Sequence, residues 1–590
     1  MNENKKNKVS TKEDQSLPIK EKDQKIDQSK ISSQNGSESI KEKNSGKDSG
    51  RKFNSSGKHR GNRGKPKPKN LDPNPKDSKN FKEEPGFNSV NWFKIDDALS
   101  KSIASLSFET ILGDSLDLNP EDSRFVSNAQ LTVPGIMTLN YTPTIGVSSD
   151  PDSAINMAGK ALFSYMRSKI SGSRAYEYAD VILYTIGVAE CVAFITSLMR
   201  VYGIINNYKF RNKYTPAHLC QSLGFNYNDL VKNRMQLAAI INTFIAQINS
   251  LPIPKTFSYM ERRVWLNSFI FTDDNQDKAQ IYAFKATGFY EFDPTGLTTG
   301  GSLFMSSLPD DATVDQIYTY GSNLISSLIS DDDIQVIKGD ILKAFGDSDL
   351  YQLKFMPLDY SVGYLYNEEA LAEIHNASIV SPVVADSIHP SSLSNLIYQE
   401  PIPGNSSYLV SNPIVGGNTG EGTAPSADHK LLLDTNTLSD PSSDAVLIMT
   451  RLGVILSYPT NIADDDSFKQ TVITCGTELI TACYIYTYDS SSKSLSAIAA
   501  VPGIFLGSAT TVSTSAITGL LTQMSYWTKF KKAPLGLYTI ATTGNNNVWI
   551  LNYIFGPGNI CNYTAVDQRT LVTMNRAVLL AMFNIANMFK

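Results

Sequence analysis

Nineteen residues, Val181–Met199, form a mostly apolar run with one carboxylate, Glu190, near its centre. A run of this length either spans a membrane or is a helix buried on nearly all sides. Thr185, Thr196 and Ser197 interrupt it, and a carboxylate at mid-bilayer is costly. A buried core helix is therefore the expectation. Such a helix must be wrapped by other apolar elements, and Glu190 must find a partner. Arg174, Arg200 and tyrosine hydroxyls are the candidates.

The chain's charge is distributed as unevenly as its apolar residues. Residues 1–80 hold 21 of the 53 Lys and Arg and 11 of the 58 Asp and Glu, a net of +10; the remaining 32 and 47 leave a net of −15. Residues 1–70 are nearly free of large apolar side chains, so burial there cannot offset conformational entropy, and a disordered arm is expected. Up to Gly50 the charges alternate in sign, which is the pattern of a solvated linker. From Arg51 to Asn70 there are eight cations and no acid: Arg51, Lys52, Lys58, Arg60, Arg63, Lys65, Lys67 and Lys69. Gly57, Gly61, Gly64, Pro66 and Pro68 oppose a helix. An extended basic strand of this kind suits the phosphates of a nucleic acid, contacted without base readout. The plainer reading is a basic linker or a nuclear-localisation-like patch.

The acidic body exceeds the size at which a single core stops growing, so more than one lobe is expected. It is rich in Tyr and Phe, which number 54 in the whole chain and supply rigid contact area for cores and interfaces alike. Cysteines 191, 220, 475, 483 and 561 form no CxxC pair, and their odd number argues against a disulfide framework and for a reducing compartment. No secretory pattern or N-myristoylation site is expected at the start, since charge follows Met1–Ser10 and Asn2 is not glycine.

Periodicity and caps divide the body. An interrupted helix is expected within Phe93–Ile111. Asp152 and Ser153 can cap a helix through Ile170, with Ser171-Gly-Ser as its stop. The long helix is expected over Ala179–Tyr208, followed by a short one from Pro216 to Gly224. Asp229 is expected to cap Val231–Ile248, whose stripe is Met235, Leu237, Ile240, Ile241, Phe244 and Ile248. Further helices are expected at Tyr259–Phe269, Asp315–Ile329 and Asp333–Phe345, with a strand at Gln280–Phe284. Gly339-Asp340 reads as a break and N-cap between helices. Beyond Pro357 the pattern changes. Residues 381–422 are rich in Pro, Ser, Asn and Gly, and strands are expected at Ala445–Leu456, Thr471–Tyr488, Ser496–Phe505 and Leu537–Thr542. Asp567–Lys590 returns to helical spacing.

Constellations for catalysis are missing. There is no GxxxxGK[ST], HExxH or GxSxG motif. The histidines at 59, 218, 375, 389 and 429 are dispersed, which gives a metal cluster little support. Gly416–Gly422 is glycine-rich but lacks the flanking strand and helix of a phosphate loop. Asp331-Asp-Asp333 could hold a cation, although capping the helix from Ile334 explains it more simply. Glu261, Arg262 and Arg263 beside Trp265 offer ion pairs and cation–π stacking, as internal braces or as subunit contacts. No cofactor is expected, and no enzyme activity apart from self-cleavage of the arm, for which no nucleophile stands out.

Four blocks resemble the capsid proteins of picobirnaviruses. They are Ser171-Gly-Ser-Arg-Ala-Tyr-Glu-Tyr-Ala-Asp180 with Arg200-Val-Tyr-Gly203; Pro252-Ile-Pro254 through Glu261-Arg262, Trp265-Leu-Asn267, Phe271, Asp273 and Ala279-Gln-Ile-Tyr282; Lys338-Gly-Asp-Ile-Leu-Lys-Ala-Phe-Gly346; and Tyr366-Asn-Glu-Glu-Ala-Leu371 with Ile374-His-Asn-Ala377. They occur in order over Ser171–Ala377, and the likeness thins beyond Ser378. Capsids of partitiviruses are the nearest competitor.

The resemblance implies a mainly α fold with a smaller β-rich part (α+β). It also implies dimers that assemble into an icosahedral shell, and an arm facing double-stranded RNA. The expected divisions are a basic RNA-facing arm at 1–70, a linker and first helix at 71–110, and a helical shell domain at 111–378. A β-richer projecting domain follows at 379–543, then a C-terminal segment at 544–590 whose helix returns to the shell. The expected location is the virion, with host cytoplasm during assembly. Cleavage of the arm near Gly57–Lys69 is expected during maturation. Host membrane is a further expected partner on entry, through the apolar helix or the C-terminal helix, whose few cations (Arg569, Arg576, Lys590) make it a weak surface binder. The rival class is a non-viral RNA-binding scaffold, although no RRM, KH or zinc module supports it.

Overall fold

In a computed structural model of the chain, the described residues are Trp92, Lys94, 96–106, 115–116, 131–132 and, with gaps, 135–586. The chain divides into two units, Met1–Ser105 and Leu106–Lys590. In the first, helix α1 (Asp97–Ile103) is capped by Asp96, whose carboxylate accepts from the Ala98 N–H at 2.6 Å. It is shorter than the expected 93–111 helix. The basic arm lies outside the described residues.

The second unit is α+β, as expected. Its helical part contains α2 (Ala154–Lys169), α3 (Tyr178–Asn206), α4 (Thr215–Ser222), α5 (Tyr227–Lys232), α6 (Arg234–Ile248), α7 (Ser258–Ser268), α8 (Val314–Ile329) and α9 (Asp332–Phe345). Helix α3 is the predicted apolar helix. It passes the length and composition test for a membrane span, yet its most apolar window is wholly buried in protein. Helices α2, α4, α6, α7 and α8 and a strand wrap it, which removes the need for a bilayer.

A six-stranded sheet forms the floor beneath these helices. Its strands are β3 (Ile136–Pro143), β4 (Ile270–Thr272), β5 (Ile281–Ala286), β8 (Tyr364–Leu365), β15 (Glu478–Asp489) and β16 (Ser494–Ala500), in the order β16-β15-β3-β5-β4-β8. Two short strands, β1 (Ser115–Leu116) and β2 (Leu131–Thr132), pair with each other. Along β5 the faces alternate with period 2. Ile281 and Ala283 join the helical core, whereas Tyr282 and Phe284 join a second core with Leu371 and Ile374 of α10 (Glu368–His375). A second sheet of four strands is ordered β10-β9-β7-β6: Tyr408–Val410, Ile397–Glu400, Ser302–Ser306 and Phe289–Asp293.

The expected boundary at residue 378 does not separate the strands. β15 pairs antiparallel with β3, from Glu478 opposite Pro143 to Tyr486 opposite Ile136. Part of the 379–543 stretch thus completes the sheet beneath the helices. The smaller sheets join β11 (Ile414–Gly416), β13 (Ile455–Leu456) and β14 (Lys469–Thr474); β12 (Lys430–Asp434) with β19 (Tyr563–Asp567); and β17 (Ile540–Thr543) with β18 (Val548–Leu551). The closing helix is α12 (Gln568–Met582), which Asp567 caps by accepting from the Thr570 N–H. It packs on α2 and α7.

Several local expectations are corrected. Ala445–Leu456 is not one strand. Ser442 caps α11 (Ser443–Met449), and only Ile455–Leu456 is extended; the cap overrides the β-branched composition. Asp229 does not cap the expected Val231–Ile248 helix: it lies inside the short helix α5, which Asn226 caps, and α6 begins only after Asn233; the Asp229 carboxylate accepts instead from the Val314 N–H at the start of α8, at 2.8 Å. Gly339-Asp340 is no break but lies within α9. There the Asp340 carboxylate accepts from the Tyr176 hydroxyl at 2.7 Å, tying α9 to the entrance of α3. Ser153 precedes α2, but its hydroxyl turns back to the Ser149 and Asp150 N–H groups. Asp331 caps α9 as expected, accepting from the Ile334 N–H at 2.9 Å.

Candidate assembly surface and its ionic support

The packing of α3 demands a partner for Glu190, because a lone buried carboxylate is prohibitively costly. Arg263 supplies it from α7. Its Nε donates to Glu190 Oε1 and its Nη2 to Oε2, each at 2.6 Å, with both side chains fully buried. The Tyr259 hydroxyl adds a third bond at 2.8 Å. Tyr141 of β3 accepts from Arg263 Nη1 and from the Asn267 amide, which links helix α3, helix α7 and the sheet. Burial alone would lower the Arg263 guanidinium pKa, but Glu190, together with Tyr141 and Tyr259, holds the group well above its ordinary value. A tyrosine hydroxyl was thus a correct candidate, Arg263 was missed, and Arg174 lies outside the described residues. Arg200 turns to the carbonyls of Leu266 and Phe269.

One residue earlier, Arg262 braces a different joint. It stacks over Trp265 at 4.8 Å and binds Glu373 of α10 and Glu478 of β15. Arg451 also reaches Glu478, at 3.5 Å. Burial would raise the Glu478 carboxyl pKa, but Arg262 and Arg451 together hold it below the ordinary carboxylate range. The Glu-Arg-Arg block is therefore an internal brace on both of its arginines.

These struts stiffen a body whose outer helical face is short of charge. From Met235 to Asn249 on α6, and from Gln316 to Ser330 on α8, no residue is charged. The two helices pack on each other, with Phe244 stacked on Tyr318. A strap at residues 353–358 runs alongside α6. Asn249 holds its Leu353 end, Asn242 exchanges two bonds with Met356, and Arg234 donates to the Leu358 carbonyl. Large apolar side chains stand out from this surface: Met235 is 64% exposed, Phe355 63%, Tyr318 52% and Leu358 50%. Met235 was expected in the buried stripe and instead points outward. The signal that marks this face is the paired charge-free stretches in a chain that is 19% charged.

The eight cations proposed for nucleic acid, Arg51, Lys52, Lys58, Arg60, Arg63, Lys65, Lys67 and Lys69, lie outside the described residues. So do the expected cleavage region Gly57–Lys69 and most of Gly416–Gly422. Among the described residues no group of three or more His, Cys, Asp or Glu could hold a metal ion. His375 is buried between the Ala533 carbonyl at 2.9 Å and the Asp434 carboxylate at 3.0 Å, and joins three segments rather than lining a cleft. Cys191, Cys220, Cys475 and Cys483 are buried free thiols, and burial raises the pKa of each.

Comparison with known proteins adds three findings. The family model described as picobirnavirus capsid protein matches residues 92–512. A capsid protein precursor of human picobirnavirus (strain Human/Thailand/Hy005102/-) is 28% identical over 344 residues. That match covers 56% of this chain and 60% of the relative, less than two thirds of the relative's length. The X-ray crystallographic structure of the picobirnavirus capsid matches with a TM-score of 0.68 at 21% identity, over 85% of this chain and 100% of that one, a likeness of fold.

Proposed function

The chain belongs to the picobirnavirus capsid protein family, and on that premise we propose that its copies dimerise and close into an icosahedral shell around double-stranded RNA. The observation that carries this reading is the pair of charge-free stretches on α6 and α8 with exposed Met235 and Tyr318, beside a strap that exposes Phe355 and Leu358 along with Lys354. Contiguous exposed apolar surface marks interaction sites, and a closed symmetric shell covers such a face with another copy. The arm at 1–70 faces the RNA, its eight cations following phosphates by counterion release. Cleavage near Gly57–Lys69, a projecting portion drawn from 379–543, and disturbance of a host membrane on entry belong to the same reading. Assembly takes place in host cytoplasm and ends in the virion. The protein acts as a structural subunit rather than an enzyme.

The test is electron microscopy of the chain expressed alone, of a form beginning at Leu71, and of Met235→Asp combined with Tyr318→Asp. Closed shells are expected from the first two. The charged variant is expected to stay folded by circular dichroism but to remain as small oligomers. Shells from the charged variant would remove this face from the assembly. Small oligomers from all three, across salt and pH, would overturn the shell itself.

A further inference from the structure

Where α3 and α7 meet the sheet there is a cavity of about 260 Å³, lined among others by Arg200, Asn267, Lys285, Thr287 and Asp310. Its polar groups are incompletely satisfied. Arg200 is only 3% exposed, and Nη1 donates to the carbonyls of Leu266 and Phe269 at 3.2 and 3.4 Å, capping the C-terminus of α7. Among the described residues its Nε has no hydrogen-bond partner and it forms no ion pair. A buried arginine usually meets a carboxylate, as Arg262 and Arg263 do, because an unpaired buried charge costs several kcal/mol. Burial lowers the Arg200 guanidinium to about 10.

The second unsatisfied group has the opposite polarity. Asn267 is fully buried, and its amide nitrogen donates to the Tyr141 hydroxyl and the Arg263 carbonyl, both at 2.9 Å. Those two bonds set the amide's orientation, which leaves Oδ1 as an acceptor without a donor among the described residues. Lys285 adds a second cation. Among the described residues its one carboxylate contact is Asp310 at 3.5 Å, whose side chain is 97% exposed, so solvent weakens the pair.

We propose that this cavity binds a small oxyanion that still carries a proton, of the hydrogen phosphate type. The anion's oxygens accept from Arg200 Nε and Lys285 Nζ, and its hydroxyl donates to Asn267 Oδ1. The cavity falls below the roughly 300–1,000 Å³ of organic-ligand sites, which favours a small ion accompanied by water. The lining charges (two cations and one exposed acid) leave a net positive site. Sulfate has the same shape but no proton at neutral pH, so it cannot satisfy Asn267. A phosphodiester lacks that proton as well. Free phosphate and a terminal phosphomonoester of a nucleotide, the latter in its monoanionic form, remain as sources.

The experiment uses full-length chain purified without phosphate. Calorimetric titration and thermal melting are run with inorganic phosphate, sulfate and a nucleoside monophosphate at matched ionic strength. Phosphate is expected to bind and raise Tm, and sulfate to bind at least about tenfold more weakly, the discrimination a lost hydrogen bond to a charged partner supplies. Tighter binding of the monophosphate than of free phosphate would assign the site to a nucleotide end; the reverse would assign it to the free ion. Arg200→Met is expected to lose phosphate binding while remaining folded, since the loss of its two bonds to the Leu266 and Phe269 carbonyls is offset by removal of an unpaired buried charge. Lys285→Met, at the edge of the cavity, is expected to fold and to bind phosphate more weakly. Equal response to phosphate and sulfate would overturn the proposal by showing no selection for the proton; phosphate binding unchanged in both variants would overturn it by placing the phosphate elsewhere, the cavity then holding water only.

Discussion

Arg263 grips Glu190 through two bonds of 2.6 Å with both side chains fully out of solvent, 73 residues apart in the chain. The desolvation of two charges offsets much of their attraction, so the pair contributes little net stability even though each partner depends on the other. Arg263→Met alone is expected to destabilise the unassembled chain by about 3–5 kcal/mol, because Glu190 is left buried with only the Tyr259 hydroxyl. Adding Glu190→Leu should recover part of that loss. Urea unfolding of the two variants checks this; a double variant less stable than the single would show that the pair is a net stabiliser.

Two helical glycines are expected to respond to alanine with opposite signs. At Gly339 in α9 no described residue lies within 4 Å of an added Cβ, so Gly339→Ala should stabilise by about 0.5–1 kcal/mol through helix propensity. At Gly321 in α8 the same Cβ falls 2.5 Å from the Phe244 ring and 2.7 Å from Phe194. Overpacking of about 1–3 kcal/mol then exceeds the propensity gain, and Tm should fall.

His218 is expected to shape the acid side of the stability profile. It lies against the Tyr488 ring at a centroid distance of 4.8 Å, and burial pushes its pKa below the ordinary value of 6.5. The native state therefore favours the neutral ring, and the unfolded chain binds the extra proton. This contribution is complete above pH 6.5 and is lost as pH falls from there toward the depressed native value. Replacing His218 with Phe should flatten that part of the curve, read as Tm against pH between 7 and 5. An unchanged slope would assign the loss to other groups.

Neutralising the arm's cations should weaken RNA binding gradually rather than at one position. If Arg51, Lys52, Lys58, Arg60, Arg63, Lys65, Lys67 and Lys69 act through counterion release, each phosphate contact removed lowers the salt slope of log K by roughly 0.9, by analogy with duplex DNA. Filter binding of duplex RNA across salt concentrations checks this. A single substitution that abolishes binding would point to a specific contact instead.

The features legible in the chain were those decided within one or two turns of it. The length and burial of α3 follow from Val181–Met199, because no helix so apolar can face water. The Asp331 cap, the end of α2 at Lys169 and the period of α6 are equally local. Charge-free stretches on α6 and α8 were present in the same letters, but only their packing side by side makes them one face. Choices between distant segments depended on register and docking. Glu190 had arginines available at several positions, and the α3–α7 packing selected Arg263. Asp229 was expected to cap Val231–Ile248, yet it lies inside α5 and the approach of α8 placed the Val314 N–H in its reach. Asp340 read as a helix start until α9 ran through it and brought it to Tyr176. β15 belongs with β3 across more than three hundred residues because their ladders match from Glu478–Pro143 to Tyr486–Ile136. Burial and capping act on neighbouring residues and leave a pattern in the chain, whereas pairing is decided by which surfaces meet once the chain has closed on itself.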